Sequence, residues 1–459
     1  MIKALTPNDD GGVQFVCYAD SCSGVPGALH EQTFASVNAI VRQLDPLPKF
    51  ICFPGDEIIG LTADEMQLRA QWHHWFTHEM GWLDRAKIPL YHTTGNHTVY
   101  DSLSESVYRE VTSHLPRNGP NDQVGLSYFV RRGNLLMVFV NTLWSGLGGE
   151  GRVEATWLEQ TLTDHEDADY KLIFGHHPVY PVNGFAGEYQ REIAHADGRT
   201  FWDILVRHQV FAYFCSHILA FDVQVHQGVL QILTAGAGTA HRMPEGIEYL
   251  HCMQCALDQD GLRYQVLDTD GHRREWLQWP LMLPPVASWE SVNGSHTMHI
   301  DPSSETTLIV WRVSGITADH GTDGEAQTLL CGWESAATIA PLWIGLRGPE
   351  QQFSILLSPT PGRSPHLWTG PSLSSGQRFD IEIGIHTGMG PGGLLWRGHD
   401  NTGQSQWSSM YGASAWGAER LTWPRNWHVG MGQRGVSDRP FRGSDLKVQR
   451  YISPLTLTV

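Results

Sequence analysis

The chain has 459 residues, 41% of them hydrophobic and only 17% charged, and its 48 Asp and Glu outnumber 31 Lys and Arg to give a formal charge of −17. That length predicts two domains or three and enough core to fold without disulfide or metal staples. The acidity speaks against binding to double-stranded nucleic acid, which needs a basic footprint; the apolar content excludes disorder, and no apolar run approaches the roughly 20 residues of a membrane span.

Residues 1–10 carry one Lys and no apolar stretch, so the expectation is that a signal peptide is absent or was removed and that the protein is soluble, by default cytoplasmic. Residues 13–19, 49–53, 88–93, 135–141, 170–174 and 210–215 are apolar, β-rich runs too short for helices, and they predict buried strands. Phe34, Val37, Ile40, Val41 and Leu44 recur at helical spacing within 31–44, as do Leu68, Trp72, Trp75 and Phe76 within 63–85. Alternating strands and helices predict a layered α/β domain, whose functional residues gather in loops beyond the carboxyl ends of the strands. Seven Cys is an odd number; Cys252 and Cys255 form a lone CxxC expected on a strand at 249–257, with no second pair to complete a zinc site.

Prolines 280, 284 and 285 break the pattern, so 1–278 reads as one domain, 279–289 as a linker and 290–459 as another. In the second part, runs such as 306–313, 353–357, 379–385 and 446–452 alternate with Gly, Pro and Ser turns, which predicts an antiparallel β-sandwich or jelly roll. Trp311, Trp343, Trp396, Trp407, Trp416, Trp423 and Trp427 are expected mostly in its core, and any exposed one could stack on a sugar ring.

The strand ends of the first part carry the chemistry. Asp20 follows the first strand, Asp56 the second, Asn96 and His97 the third, His176 and His177 a later one, and His217 the last. Any one alone reads as a turn-forming or satisfied residue. Together, mostly introduced by Gly, they make a mixed oxygen and nitrogen ligand set suited to Zn, Mn or Fe. His73, His74 and His78 crowd one helix and read as a half-solvated surface. Gly146, Gly148, Gly149 and Gly151 lack the Lys-Ser/Thr of a phosphate loop and read as a flexible turn. No Gly-x-Ser-x-Gly elbow occurs, which argues against a serine hydrolase.

Gly55-Asp56, Gly95-Asn96-His97, Gly175-His176-His177-Pro178 and Ser216-His217 resemble the signature blocks of the calcineurin-like metallophosphoesterases, purple acid phosphatases among them, over roughly residues 13–270. The resemblance implies a four-layered α/β/β/α sandwich with one or two divalent ions (Mn, Zn or Fe) per chain. It also implies hydrolysis of a phosphate mono- or diester by metal-activated water. By the same resemblance Asp56 bridges two ions; Asn96, His176 and His217 complete the second site; His97 is the acid that assists the leaving group; and His177 lies on the substrate side. The first site departs from the family. Where Asp-x-His is expected the chain has Asp20-Ser21-Cys22, Ile59 stands where purple acid phosphatases place a Tyr, and Leu219 stands where the last His belongs. Asp20 remains with Cys22 as the substitute donor: a thiolate ligates Zn at about 2.3 Å, whereas free Cys is usually a small buried residue. Asp222 and His226 are further substitutes by proximity alone. The alternative to an enzyme is a decayed site kept for ligand or glycan binding. More loosely, 379–387, 427–430 and 440–448 resemble strands of the concanavalin-like or laminin-G-like jelly rolls, which are often structural or docking modules and in a minority of cases bind carbohydrate.

Overall fold

The computed structural model describes residues 1–143, 153–180, 192–238 and 248–279, and beyond them 287–290, 296–299, 308–318, 325–335, 339–358, 366–386, 393–399, 405–409, 424–435 and 437–452. The glycine turn at 146–151 and most of the Pro-rich segment lie outside the described residues, as do Trp416, Trp423 and the side chains of Trp396 and Trp407. Two compact units divide the chain, Met1–Met282 and Leu283–Val459.

In the first unit the elements run β1 (Ile2–Lys3), β2 (Val13–Cys17), α1 (Leu29–Val41), β3 (Leu44–Asp45), β4 (Ile51–Phe53), α2 (Glu65–His74), β5 (Leu90–His92) and α3 (Ser102–Val111). There follow β6 (Tyr128–Arg132), β7 (Leu135–Phe139), α4 (Ala155–Asp164), β8 (Tyr170–Phe174), α5 (His195–Arg207), β9 (Ala212–Cys215), β10 (Phe221–His226), β11 (Val229–Thr234), β12 (His251–Asp258), β13 (Gly261–Asp268) and β14 (Arg273–Trp279). Strands β2, β4 and β5 are parallel neighbours, with Val16 opposite Ile51 and Ile51 opposite Leu90, and β12 joins β2 antiparallel. A second sheet sets β7, β8, β9 and β11 parallel, with β6 and β10 antiparallel at its sides. Parallel strands share a direction, so the loops after β2, β4 and β5 emerge at one edge, and those after β8 and β9 do so together in the other sheet. Phe34, Val37 and Val41 of α1 and Leu68 and Trp72 of α2 share a core with Val16, Ile51 and Phe53 of the first sheet. Leu158 and Leu162 of α4 and Trp202 and Leu205 of α5 share another with Leu136, Ile173 and Tyr213 of the second. The ring of Phe15 meets Phe214 of the other sheet edge-on at 5.9 Å.

The predicted helix at 31–44 starts at Leu29 and stops at Val41. Leu44 is buried as its spacing required, but in β3, which pairs with Ile2 of β1. The predicted helix at 63–85 is also shorter. Asp64 caps its start by accepting from the amides of Met66 and Gln67, and past His74 it widens into a π-helical turn, Trp75–Glu79. The chain then turns at Met80-Gly81, where the backbone as it stands would put a Cβ at position 81 just 2.3 Å from the Thr77 carbonyl oxygen, so the turn requires Gly. Cys252 and Cys255 lie on β12 as free, buried thiols.

The second unit, described by itself, contains only strands among its described elements: β15 (Ala287–Glu290), β16 (His296–His299), β17 (Leu308–Ile316), β18 (Gln327–Trp333), β19 (Leu342–Arg347), β20 (Gln352–Leu357), β21 (His366–Ser372), β22 (Arg378–His386), β23 (Gly393–His399), β24 (Ser405–Ser409), β25 (Asn426–Val429) and β26 (Ser444–Ile452). They pair antiparallel in two sets, β15-β26-β17-β22-β23-β24 and β16-β25-β18-β19-β20-β21. One apolar core joins the sets through Trp311, Ile381 and Val448 on one side and Leu330, Ile344 and Trp427 on the other.

Two fully buried histidines make the first unit acid-sensitive. Burial pushes His251 down to about 4 and His92 down to about 3, against an ordinary value near 6.5. The fold therefore holds both rings neutral, and between the folded and unfolded values the unfolded chain binds more protons. Their contribution is fully present above pH 6.5 and is lost as the pH drops toward 4, by about 3 kcal/mol for a shift the size of that at His251; Asp20, raised to about 7, works in the opposite direction over the same range. Between pH 7 and pH 4.5 His251→Gln should therefore lose less stability than the parent, and parallel melting profiles of the two would contradict it.

Candidate metal centre

The site begins with backbone. After β2 and β4 the chain runs as two adjacent loops, with the amide of Asp20 donating to the Gly55 carbonyl (3.2 Å) and that of Cys22 to the Asp56 carbonyl (2.8 Å). Asp20, Cys22, Asp56 and His217 all hold left-handed φ values, 63°, 40°, 58° and 72°. Such conformations are uncommon for residues other than Gly and concentrate where side chains must be aimed. Gly95 is required by close approach: a Cβ there would stand 2.1 Å from Asp56 Oδ1. Thus the short loop after β5 can lie directly on the Asp56 carboxylate.

His176 is the hub. Its ring is wholly buried, and its Nδ1 donates to the Pro54 carbonyl at 2.9 Å, beside the Ser216 hydroxyl, which also donates to Pro54 at 2.6 Å. Those contacts fix the ring and turn Nε2 inward. Around Nε2 stand Asn96 Oδ1 at 3.0 Å, His217 Nδ1 at 3.1 Å and Asp56 Oδ2 at 3.3 Å. With the Nδ1 proton spent on Pro54, a neutral His176 presents only a lone pair to the two oxygens, an arrangement that calls for positive charge. Without a cation the imidazole supplies that charge itself: burial opposes its protonation, but the Asp56 carboxylate beside it carries the His176 pKa above the usual histidine range. A divalent ion meets the same demand. Metal–nitrogen and metal–oxygen bonds of about 2.0–2.2 Å put adjacent ligand atoms about 3.0–3.5 Å apart, the spacing of the three contacts to His176 Nε2. Among the described residues Asp56 and His217 each share a donor group with His176 but not with each other, so the residue types suit a cation, around which Asp56 and His217 would draw closer.

Asp56 is 2% exposed and is shared. Its Oδ2 faces His176, while Oδ1 accepts the amide of His97 at 2.8 Å. Burial works against its ionisation, yet His176 and His97 outweigh it and hold the carboxyl below the usual range. Asp20 accepts the His217 amide at 3.1 Å, and its pKa is raised by burial against the pull of His176, with Asp56 adding to the rise. Asp20, Asp56 and His176 bring donor atoms within 4.8 Å of one another, as do Cys22, Asp56 and His97. The Cys22 thiol is therefore on the cavity side and beside two donors, although its residue is only 6% exposed. Leu219 packs against the apolar core that includes α4 and α5, so the position of the missing histidine belongs to that core. Neither Asp222 nor His226 joins a donor group among the described residues: Asp222 is buried on β10, and the His226 ring stacks on Tyr180 with centroids 3.5 Å apart.

His97 is half-buried, and its Nδ1 donates to the Ile59 carbonyl at 2.8 Å, which leaves Nε2 for another partner. His177 stands differently from the substrate-side place expected for it. It is 1% exposed, its Nδ1 pairs with the Thr142 hydroxyl at 2.9 Å, and its ring centroid lies 4.4 Å from that of His217. It shares a donor group with His176 and His217.

Several supporting residues have roles that the sequence does not single out. Pro54 and Ser216 orient His176, and Thr142 orients His177; Pro54 and Thr142 are plain loop residues in the sequence, and Ser216 stands in its block only as the neighbour of His217. Directly behind Asp56, Glu57 and His92 form a fully buried contact of 2.8 Å between Oε1 and Nδ1. Burial raises the Glu57 carboxyl and lowers the His92 imidazole, which favours the neutral form of each. His30 at the start of α1 sits close enough to His97 that their charges oppose each other, which adds to burial in lowering the His30 pKa.

Among the described residues no helix is long and apolar enough to cross a membrane. Among solved structures the chain is similar to GAP50, the anchor in the inner membrane complex of Plasmodium, at 14% identity over 58% of this chain and 88% of that one, with a TM-score of 0.40. It is also similar to a purple acid phosphatase from yellow lupin seeds (11% identity, 60% of this chain and 55% of that one, TM-score 0.45), so it spans about half of that enzyme. A third likeness is to the CBM40 of Ruminococcus gnavus IT-sialidase (14% identity, 37% and 92%, TM-score 0.27). No curated protein sequence matches the chain. Residues 15–221, which bear every candidate ligand and supporting residue of the centre, match the family described as calcineurin-like phosphoesterase.

Proposed function

We propose that this domain hydrolyses a phosphate ester with a divalent cation held by Asp56, Asn96, His176 and His217. The observation that carries the reading is the convergence of Asp56, Asn96 and His217 on His176 Nε2 within 3.0–3.3 Å. A cation bound there acidifies a water and polarises a phosphoryl oxygen. The chain's own residues do the rest. Asp56 ties the centre to the amide of His97, and His97 Nε2 is placed to give a proton to the departing oxygen. His177 positions His217 from behind. Asp20 and Cys22 flank the first position, whose weakness is Leu219. That apolar replacement favours the second reading, a domain retained for binding, in which case the centre holds a cation without turnover.

The layering fits α/β/β/α, with helices sharing cores with the outer faces of two sheets. We also propose the boundaries 1–278, 279–289 and 290–459, a reading supported by the division of the chain into compact units at 282/283, inside the proposed linker. Two antiparallel sets around one core support a jelly roll in 290–459, and we infer carbohydrate as its partner class. Elemental analysis of the purified protein decides first. One tightly bound Mn, Zn or Fe lost with Asp56→Ala, with turnover of aryl phosphate mono- or diesters, is expected; absence of turnover, with or without a bound ion, would move the assignment to the binding reading.

A further inference from the structure

We propose that Glu31 of α1, with His74 and His78 at the end of α2, forms a separate binding site for a divalent cation of the zinc class. The histidine-rich helix resolves into unequal members. His73 is exposed and joins no donor group among the described residues. His74 and His78, one turn apart, bring their ring centroids to 4.8 Å. Glu31, 43 residues earlier in the chain, reaches them from the neighbouring helix, its Oε1 2.7 Å from His74 Nε2. The three ligand atoms lie within 4.8 Å of one another.

An ion pair between Glu31 and His74 explains only part of this. It leaves two imidazoles 4.8 Å apart and tilted by 40°, which repel if both are charged. A cation between them turns the same arrangement into attraction. The carboxylate is already oriented, because the Gly27 amide donates to Oε2 at 2.6 Å and leaves Oε1 directed at the rings. The helix is pinned too, because Trp72 and Trp75 are wholly buried and the chain widens into a π-helical turn between the two histidines, a feature frequent at functional sites. His78 is exposed, so its ring can swing in by the ångström or so that a bond of about 2.0–2.1 Å requires, and water has access to a remaining position. Two imidazoles and one carboxylate suit Zn²⁺, Ni²⁺ or Cu²⁺; Mg²⁺ and Ca²⁺ prefer all-oxygen sets. The ion would tie the start of α1 to the end of α2. Glu79, the next residue after His78, accepts from the Gly24 amide at 3.2 Å, in the loop that bears Asp20 and Cys22.

The test is zinc titration of the full-length, chelator-stripped protein by calorimetry, with elemental analysis after desalting. His78→Ala and Glu31→Gln should each weaken one zinc-binding event at least tenfold, since even outer-shell losses cost about 10–100-fold. Asp56→Asn, which strikes the phosphoester centre instead, should leave that event intact, and the Asp56→Asn/His78→Ala double variant should lose both. Because His78 is exposed, its variant is expected to melt like the parent without added metal, so lost binding will not reflect lost folding. Zinc binding with unchanged stoichiometry and affinity in His78→Ala and Glu31→Gln would overturn the site, as would a parent protein whose only zinc is lost with Asp56. Survival of the event in Asp56→Asn would support it even if the phosphoester reading failed.

Discussion

Asp56→Ala should remove the tightly bound cation and the phosphoesterase activity together, the largest loss expected of any single substitution in this protein. Asp56 contributes to everything at the centre at once: Oδ2 faces His176, Oδ1 holds the His97 amide, and its negative charge offsets the positive charge that the His176 environment demands. Removing it leaves a buried imidazole beside acceptors with no counter-charge. Breaking a buried pair in this way typically costs about 3–5 kcal/mol, so lower stability accompanies the metal loss. Asp56→Asn separates the two effects, because it keeps the volume and an acceptor for His97 while removing the charge. Asp20→Ala should lose less metal, since Asp20 belongs to the position that has Cys22 and Leu219 where the family has histidines. Metal content and melting temperature of the three variants check this; equal metal loss from Asp20→Ala and Asp56→Ala would mean that the first position works, with Cys22 as its ligand.

The candidates of this centre were legible in the sequence because parallel strands carry the loops that follow them to one edge of their sheet. Each candidate followed an apolar strand, which places Asp20, Asp56 and Asn96 together on one sheet and His176 and His217 together on the other; that the two edges meet is a property of the fold. Support is another matter. Ser216 and Pro54 orient His176 only because two loops 162 residues apart meet, and no local pattern records that. The same limit hid the role of Glu31: His74 and His78 are visible as neighbours one helical turn apart, but their carboxylate partner comes from another helix, and the pair alone rightly reads as surface. Leu44 and the end of α2 show a different limit. Periodicity reports which positions are buried, and Leu44 is buried, but a residue can meet that demand in a strand pairing as well as in a helix. His177 shows the last: adjacency to His176 placed it in the site, while its side chain points to Thr142 and away from solvent, which only the fold decides.

His97→Ala should lower kcat by about 10²–10⁴-fold, the usual contribution of a general acid or base, while leaving the bound metal in place. The separation is possible because His97 touches the ligand set through its backbone. Its amide donates to Asp56 Oδ1, and an alanine amide does the same, so the side chain can be removed without disturbing the carboxylate. The ring itself is held by one hydrogen bond from Nδ1 to the Ile59 carbonyl, which fixes the tautomer with Nε2 as the working atom. A neutral Nε2 carries no proton, so donation to a leaving oxygen requires the imidazolium, with the proton on Nε2 delivered and Nδ1 still bonded to Ile59. The loss should therefore depend on the leaving group. Alkyl phosphates, whose alkoxides need that proton, should lose the full factor, whereas nitrophenyl phosphates, which leave as stable anions, should lose little. His97→Gln, which can donate a hydrogen bond but not transfer a proton, should behave as Ala does on alkyl esters and closer to the parent on aryl esters. An equal loss on both ester classes would assign His97 to holding the phosphoryl oxygens rather than to proton transfer, and a loss of metal along with activity would make its side chain a ligand, alongside Cys22 and Asp56 in the group where the structure already brings the three together.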